Sequence, residues 1–157
     1  MRVHLGSDHA GYELKQAVVR RLGELGHEVV DHGPALYDAV DDYPPFVLRA
    51  ALGVAGDPGS LGVVLGGSGN GEAIAANKVS GVRCALAWSL ETAQLGRQHN
   101  DANVLSMGAR MHEQEVALGF LEAFLATDYS GDLRHTRRIE MLSAYERDGV
   151  LPPLPPA

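Results

Sequence analysis

One cysteine, Cys84, stands among 157 residues, so no disulfide can close within the chain. No apolar run reaches the roughly 20 residues that a membrane-crossing helix needs. The N-terminal "MRVHLGSDHAG" enters a strand pattern at once, with no signal-peptide pattern ahead of it. Positive charge is scarce: 13 Lys and Arg face 20 Asp and Glu, for a formal net charge of −7. Such a chain repels a phosphate backbone, so nucleic acid is not its main partner, although one local basic cluster can still hold a small anion. The seven histidines form no H-E-x-x-H pair, and "HEQEV" at His112 lacks the second histidine. No metal is expected. These absences leave a soluble cytoplasmic protein, and the length suits one domain with its own core.

What is present alternates. "RVHLGS" reads as a strand, and "GYELKQAVVRRLGELG" as a helix with Leu14, Val18, Leu22 and Leu25 on one face, stopped by Gly26. "HEVVDHG" is a second strand, and "DYPPFVLRAALGVAG" a helix whose prolines suit its first turn. "LGVVLGG" is apolar throughout, as a buried parallel strand should be. A short helix over "GEAIAANKV", a strand over "VRCALAW", a helix capped by Ser89 and a fifth strand over "NVLSMG" follow. Two helices, "EQEVALGFLEAFLAT" and "DLRHTRRIEMLSAYERDG", complete a single domain over residues 1–150. Residues 151–157 form a loose proline-rich tail. The pattern predicts a three-layer α/β/α, Rossmann-like, doubly wound sheet of five parallel strands. Such sheets bind ligands at the carboxyl ends of their strands. That gives weight to "GSDHAG", "GGSGNGE" and "GAR", which follow strands one, three and five.

The densest signal is "VVLGGSGNGEAIAANK", Val63 to Lys78. An apolar strand runs into four glycines, a serine and an asparagine, and Glu72 stands where a helix starts. Glycines allow positive φ and close backbone approach, and N–H groups at a helix start favour negative charge. Gly67, Ser68, Gly69, Asn70 and Gly71 thus form a candidate oxyanion cradle. A P-loop would need lysine after Gly71, and a dinucleotide fingerprint would need a different glycine spacing. A carboxylate repels a bound phosphate, whereas beside a carbonyl compound it is a general base whose enolate the loop amides can hold. The plainer reading is a tight turn followed by a glutamate that complements the helix dipole.

Other candidates compete with plainer roles. Asp8 is either a ligand contact or an N-cap, with His9 beside it. His99 and Asn100 lie at a helix end, where a histidine can simply face the C-terminus. Arg134 and Arg138 share a helical face and, with Arg110 after strand five, could hold one phosphate monoester; Glu140 is an alternative partner for them. Cys84 and Trp88 read as packing residues.

Together "GSDHAGYELK", "GGSGNGEAIAANK", "RCALAW", "QHNDANVLSMGAR" and "RHTRRIEML" resemble type B ribose-5-phosphate isomerases, in particular their actinobacterial branch. The resemblance runs from Gly6 to about Tyr145. It implies cofactor-free interconversion of ribose 5-phosphate and ribulose 5-phosphate, in homodimers or tetramers with sites between subunits. By position it implies that Asp8 and His9 contact substrate and that Gly67–Gly71 form the anion hole, with Ser68 helping move the hydroxyl proton. His99 would open the furanose ring, Asn100 would hold a sugar hydroxyl, and Arg110, Arg134 and Arg138 would bind phosphate. Many members carry a cysteine base at the position of Gly66; the branch resembled here uses a glutamate, which is Glu72. Three alternatives stay open: an isomerase for six-carbon aldose phosphates, a non-catalytic phosphate-binding module, and a structural protein whose glycines are only turns.

Overall fold

The computed structural model describes residues 1–154; residues 155–157 of the expected tail lie outside the described residues. The strands are β1 (Arg2–Ser7), β2 (Glu28–Asp31), β3 (Leu61–Gly66), β4 (Cys84–Leu86) and β5 (Val104–Gly108). They form one sheet in the order β2-β1-β3-β5-β4, with every neighbouring pair parallel. The helices are α1 (Tyr12–Glu24), α2 (Pro44–Gly56), α3 (Asn70–Ala76), α4 (Leu90–Asn100), α5 (Gln114–Ala126) and α6 (Leu133–Asp148). A 3-10 turn, His9–Gly11, joins β1 to α1. No described helix is long and apolar enough to cross a membrane.

Every residue of β3 is buried, because both faces of the sheet are covered. Successive side chains point to opposite faces. Val63 and Leu65 join the core that α1, α4 and α5 close with Leu22, Leu121 and Phe124. Val64 joins the core that α2 and α3 close with Val47, Ala51 and Ala76. From β1 the chain turns outward to β2, and from β3 it turns the other way to β4. The switch point therefore lies between β1 and β3, and the segments after them meet at the carboxyl edge.

Two polar contacts pin the layers. Lys15 on α1 is fully buried and pairs with Asp31 at the end of β2. His4 on β1 stacks on His32, with ring centroids 5.3 Å apart and His4 Nδ1 3.0 Å from His32 Nε2. The pair fits under α2 because residue 53 is glycine: a Cβ there would lie 2.4 Å from His4 Nδ1.

Three local expectations need correction. Helix α1 ends at Glu24, before Gly26 takes a φ of +77°, so Leu25 falls past the helix and is exposed rather than on its buried face. Strand β4 begins at Cys84 and stops at Leu86, since Ser89 and Thr92 cap α4 with reciprocal hydrogen bonds and pull the chain away. Trp88 is consequently 63% exposed and not a packing residue of this chain's core, and Cys84 is half-buried. Residues 151–154 are exposed and carry no regular structure.

Candidate active site

The glycine loop leaves β3 at Gly66 and enters α3 at Asn70. Gly69 adopts a φ of +81°, which side chains disfavour, and this turns the chain into the helix. The loop is held from β5. Buried Ser106 donates its hydroxyl to the Gly69 carbonyl at 2.7 Å, Ala109 N–H donates to the Gly66 carbonyl at 2.8 Å, and Arg110 N–H donates to the Gly67 carbonyl at 3.1 Å. Among the described residues, the N–H groups of Ser68 and Gly69 have no backbone acceptor. The exposed Ser68 hydroxyl accepts from the Asn70 N–H at 3.3 Å and from its side-chain amide at 3.2 Å.

Glu72 folds back under this loop and is 4% exposed. Its carboxylate fills the space that a side chain at Gly66 would need: a Cβ there would lie 1.9 Å from Glu72 Oε1. A side chain at position 66 and the Glu72 carboxylate thus compete for the same volume, and glycine at 66 leaves that volume to the carboxylate. Burial pushes the Glu72 pKa up; its own backbone hydrogen bond opposes this and Asp8 adds to it. The competition between the helix start and burial, open in the sequence, resolves towards burial. Burial, and then the Glu72 charge, push the Cys84 thiol up to about 12, which leaves it protonated and a poor nucleophile.

Asp8 takes the N-cap role: its carboxylate accepts from the Ala10 N–H at 2.9 Å and the Gly11 N–H at 3.2 Å. The cap does not take it out of the site, because it is also close enough to Glu72 to raise that group's pKa. His9 pairs with Asp41, a residue no motif singled out. The Arg110 guanidinium lies along Gly67, with Nη1 3.5 Å from where a Cβ would stand, and the Tyr43 ring lies against Gly71, also unforeseen. Ser106 sits inside an ordinary strand pattern that gives no sign of its contact; Asp41 and Tyr43 fall in "GPALYDAVDDYPP", a segment that the resemblance offers for contacts with the ring end of the sugar without singling out a residue.

The remaining candidates gather elsewhere. His99 and Asn100 end α4, and the chain then enters β5 at Val104, which places them at the amino edge of the sheet. Two arginines clamp that end: Arg83 Nη2 and Arg97 Nη1 bind the Asp101 carboxylate at 3.0 and 2.8 Å, and Asp101 has a φ of +43°. The His99 ring sits 4.2 Å from His135 on α6. Burial first, then His99 and Arg134, lower the His135 pKa. Arg134 pairs with Asp132 at 3.3 Å, not with Glu140, and it and Arg138 are exposed. One chain therefore brings together Asp8, His9, Gly67–Gly71, Glu72 and Arg110 at one edge. It groups His99, Asn100, Arg134 and Arg138 at the other. Among the described residues no group of three or more His, Cys, Asp or Glu could hold a metal ion.

The profile of the ribose/galactose isomerase family matches residues 3–142. The chain belongs to that family. It is 57% identical over 157 residues to ribose-5-phosphate isomerase B of Mycobacterium tuberculosis, covering all of this chain and 97% of the relative. It is 40% identical over 146 residues to the Escherichia coli enzyme of the same name, covering 93% of this chain and 97% of that one. Among solved structures, ribose-5-phosphate isomerase B of Clostridium thermocellum superposes with a TM-score of 0.91 at 36% identity, covering 96% of this chain and all of that one. The Mycoplasma genitalium enzyme, solved with bound ribulose-5-phosphate, gives 0.90 at 38% identity and covers 94% and 97%. These matches span the glycine loop and both edges, and they favour the isomerase reading over a structural protein.

Proposed function

We propose that this chain interconverts ribose 5-phosphate and ribulose 5-phosphate without a cofactor, with Glu72 as the base. The observation that carries the reading is the Glu72 carboxylate lying in the side-chain space of Gly66, buried and with a raised pKa, beneath a loop with free amides. A base whose pKa moves towards neutrality transfers protons better in both directions. After His99 opens the furanose ring, Glu72 takes the proton from C2 of the aldose. The electron pair forms the C1–C2 double bond, and the C1 carbonyl oxygen becomes the enediolate oxygen. Loop N–H groups and Ser68 hold the two oxygens while the hydroxyl proton passes from O2 to O1. Glu72 then returns its proton to C1, leaving a ketone at C2. Arg110, Arg134 and Arg138 take the phosphate, Asn100 a sugar hydroxyl, and Asp8 and His9 line the carboxyl edge.

Glu72 and His99 at opposite edges cannot serve one substrate within one chain, so the working unit is a twofold dimer in which each subunit supplies one edge. The shape of α6 supports this: His135 is its one buried residue among those described, while Leu133, Leu142 and Tyr145 are exposed. A phosphorylated sugar carries charge and does not cross a bilayer unaided, which fits a cytoplasmic location. The deciding experiment assays the purified chain on ribose 5-phosphate beside allose and galactose 6-phosphates. Turnover of the five-carbon substrate is expected to be at least tenfold more efficient. Preference for a six-carbon sugar would replace the substrate, and binding without turnover would replace the enzyme by a binding module.

A further inference from the structure

His9 is held by one carboxylate oxygen. Asp41 Oδ1 accepts from the His9 backbone N–H at 2.7 Å and from the His9 ring at Nδ1, 2.9 Å away. Asp41 belongs to the turn before α2, where its own N–H donates to the Asp38 carbonyl at 3.2 Å, so it is fixed independently of the His9 turn. A backbone bond alone would leave the ring free to rotate, and a ring bond alone would leave the turn free. Together they set one ring orientation and put the proton on Nδ1. Nε2 makes no hydrogen bond among the described residues.

The burial of Asp41 points the same way. Its side chain is 10% exposed, and Oδ2 is buried with no hydrogen-bond partner. Among the described residues His9 is its one ion-pair partner. An enclosed carboxylate with an idle oxygen is costly unless a cation accompanies it, and the imidazolium of His9 is the cation at hand. The charged groups acting on the ring are Asp41 and Asp8, both acidic; the Asp41 bond is the larger influence and raises the His9 pKa against a smaller loss from burial.

We infer that Asp41 is a positioning residue that holds His9 as an oriented imidazolium, whose Nε2–H is a cationic donor to an anionic or hydroxyl oxygen of the bound sugar phosphate. This rests on the isomerase reading of the site and adds a fourth cation to the three arginines. It also separates the two acids of this edge. Asp8 spends its carboxylate on turn amides, whereas Asp41 spends its own on the charge and tautomer of a neighbour.

The test uses Asp41→Asn, which keeps an oxygen able to accept both His9 bonds and removes the charge. The His9 ring is titrated by NMR, and ribose 5-phosphate affinity is measured by calorimetry in the Glu72→Gln background, where turnover does not interfere. In the parent the ring should titrate above the ordinary 6.5, and in Asp41→Asn it should fall back towards it. Affinity at pH 7.5 should drop about tenfold, the size expected for one charged hydrogen bond. Adding Asp41→Asn to His9→Ala should weaken binding no further, because Asp41 acts through His9. Unchanged affinity in a folded Asp41→Asn protein, an unmoved ring titration, or the same loss with His9 absent would each overturn the inference. Binding that follows the expected pattern in a protein whose wild type shows no turnover would sink the isomerase reading and leave the role of Asp41 intact.

Discussion

The carboxyl edge and the amino edge of the sheet hold site residues under opposite conditions. At the carboxyl edge the acids, the histidine and the loop carbonyls are committed: Asp8 to turn amides, His9 to Asp41, the loop carbonyls to Ser106, Ala109 and Arg110, and Glu72 to a space left by a missing side chain. At the amino edge the backbone is just as firmly clamped, by Arg83 and Arg97 on Asp101. Its side chains are held more loosely: Arg134 and Arg138 stand exposed on a helix with one buried residue, Arg134 paired only with the exposed Asp132. Proton transfer from carbon needs a base held within a fraction of an ångström, and one chain holds the proposed base in that way. Phosphate capture tolerates exposed arginines, and in the proposed dimer that half completes the neighbour's site.

The largest effect should come from the committed half. Glu72→Gln is expected to lower kcat by a hundred- to ten-thousandfold, in line with what a general base typically contributes, about 10²–10⁴. Affinity for substrate should change little. Gly66→Ala should do nearly as much damage by displacing the carboxylate, although it alters no polar group. Wild-type turnover in either pure variant would remove Glu72 as the base.

Next comes a test of both halves at once. Inactive Glu72→Gln and inactive His99→Ala, dissociated and reassociated together, should regain roughly a quarter of wild-type activity, because about half the dimers mix and one of their two sites is then intact. Mixed dimers that stay dead would place His99 and Glu72 in the same subunit and erase the contrast between the edges.

A smaller loss is expected at the exposed arginines. Arg134→Ala and Arg138→Ala should each raise the inhibition constant of inorganic phosphate about tenfold, the low end for a charge-assisted hydrogen bond, with kcat nearly unchanged. An unchanged constant in both would take α6 out of the phosphate site.

The least effect belongs to a pair in neither half. Burial first, then His4, lower the His32 pKa below the usual 6.5. The unfolded chain therefore binds more protons than the folded one as pH falls below about 6.5, and stability declines through that window. His32→Asn should flatten the decline between pH 6.5 and 5, read as urea midpoints, by well under ~1 kcal/mol after solvent screening. An unaltered slope would mean that the stacked pair does not titrate.

Much of this was legible in residue order. Alternating apolar strands and amphipathic helices announce a parallel sheet, and the glycines with Glu72 point to the edge at which the candidate site lies. What was not legible depends on contacts between distant segments. Leu25 fits the apolar face of α1 by spacing, yet Gly26 ends the helix first. Asp41 lies among several acids, and only folding shows that its carboxylate meets His9. Ser106 reads as one more strand residue until its hydroxyl is found on the Gly69 carbonyl. The strand order, with β5 inserted between β3 and β4, likewise has no local signal.

The trade of volume between residues 66 and 72 also constrains how such a site can evolve. A side chain gained at 66 forces the Glu72 carboxylate to shift, and on the proposed mechanism a glutamate lost at 72 leaves the loop without a base. On the proposed mechanism, a lineage moving between a base on the strand end and a base on the helix does so most readily by changing both codons nearly together. On the proposed mechanism, a single glycine at 66 then marks a chain whose proton is abstracted from the helix rather than from the strand end.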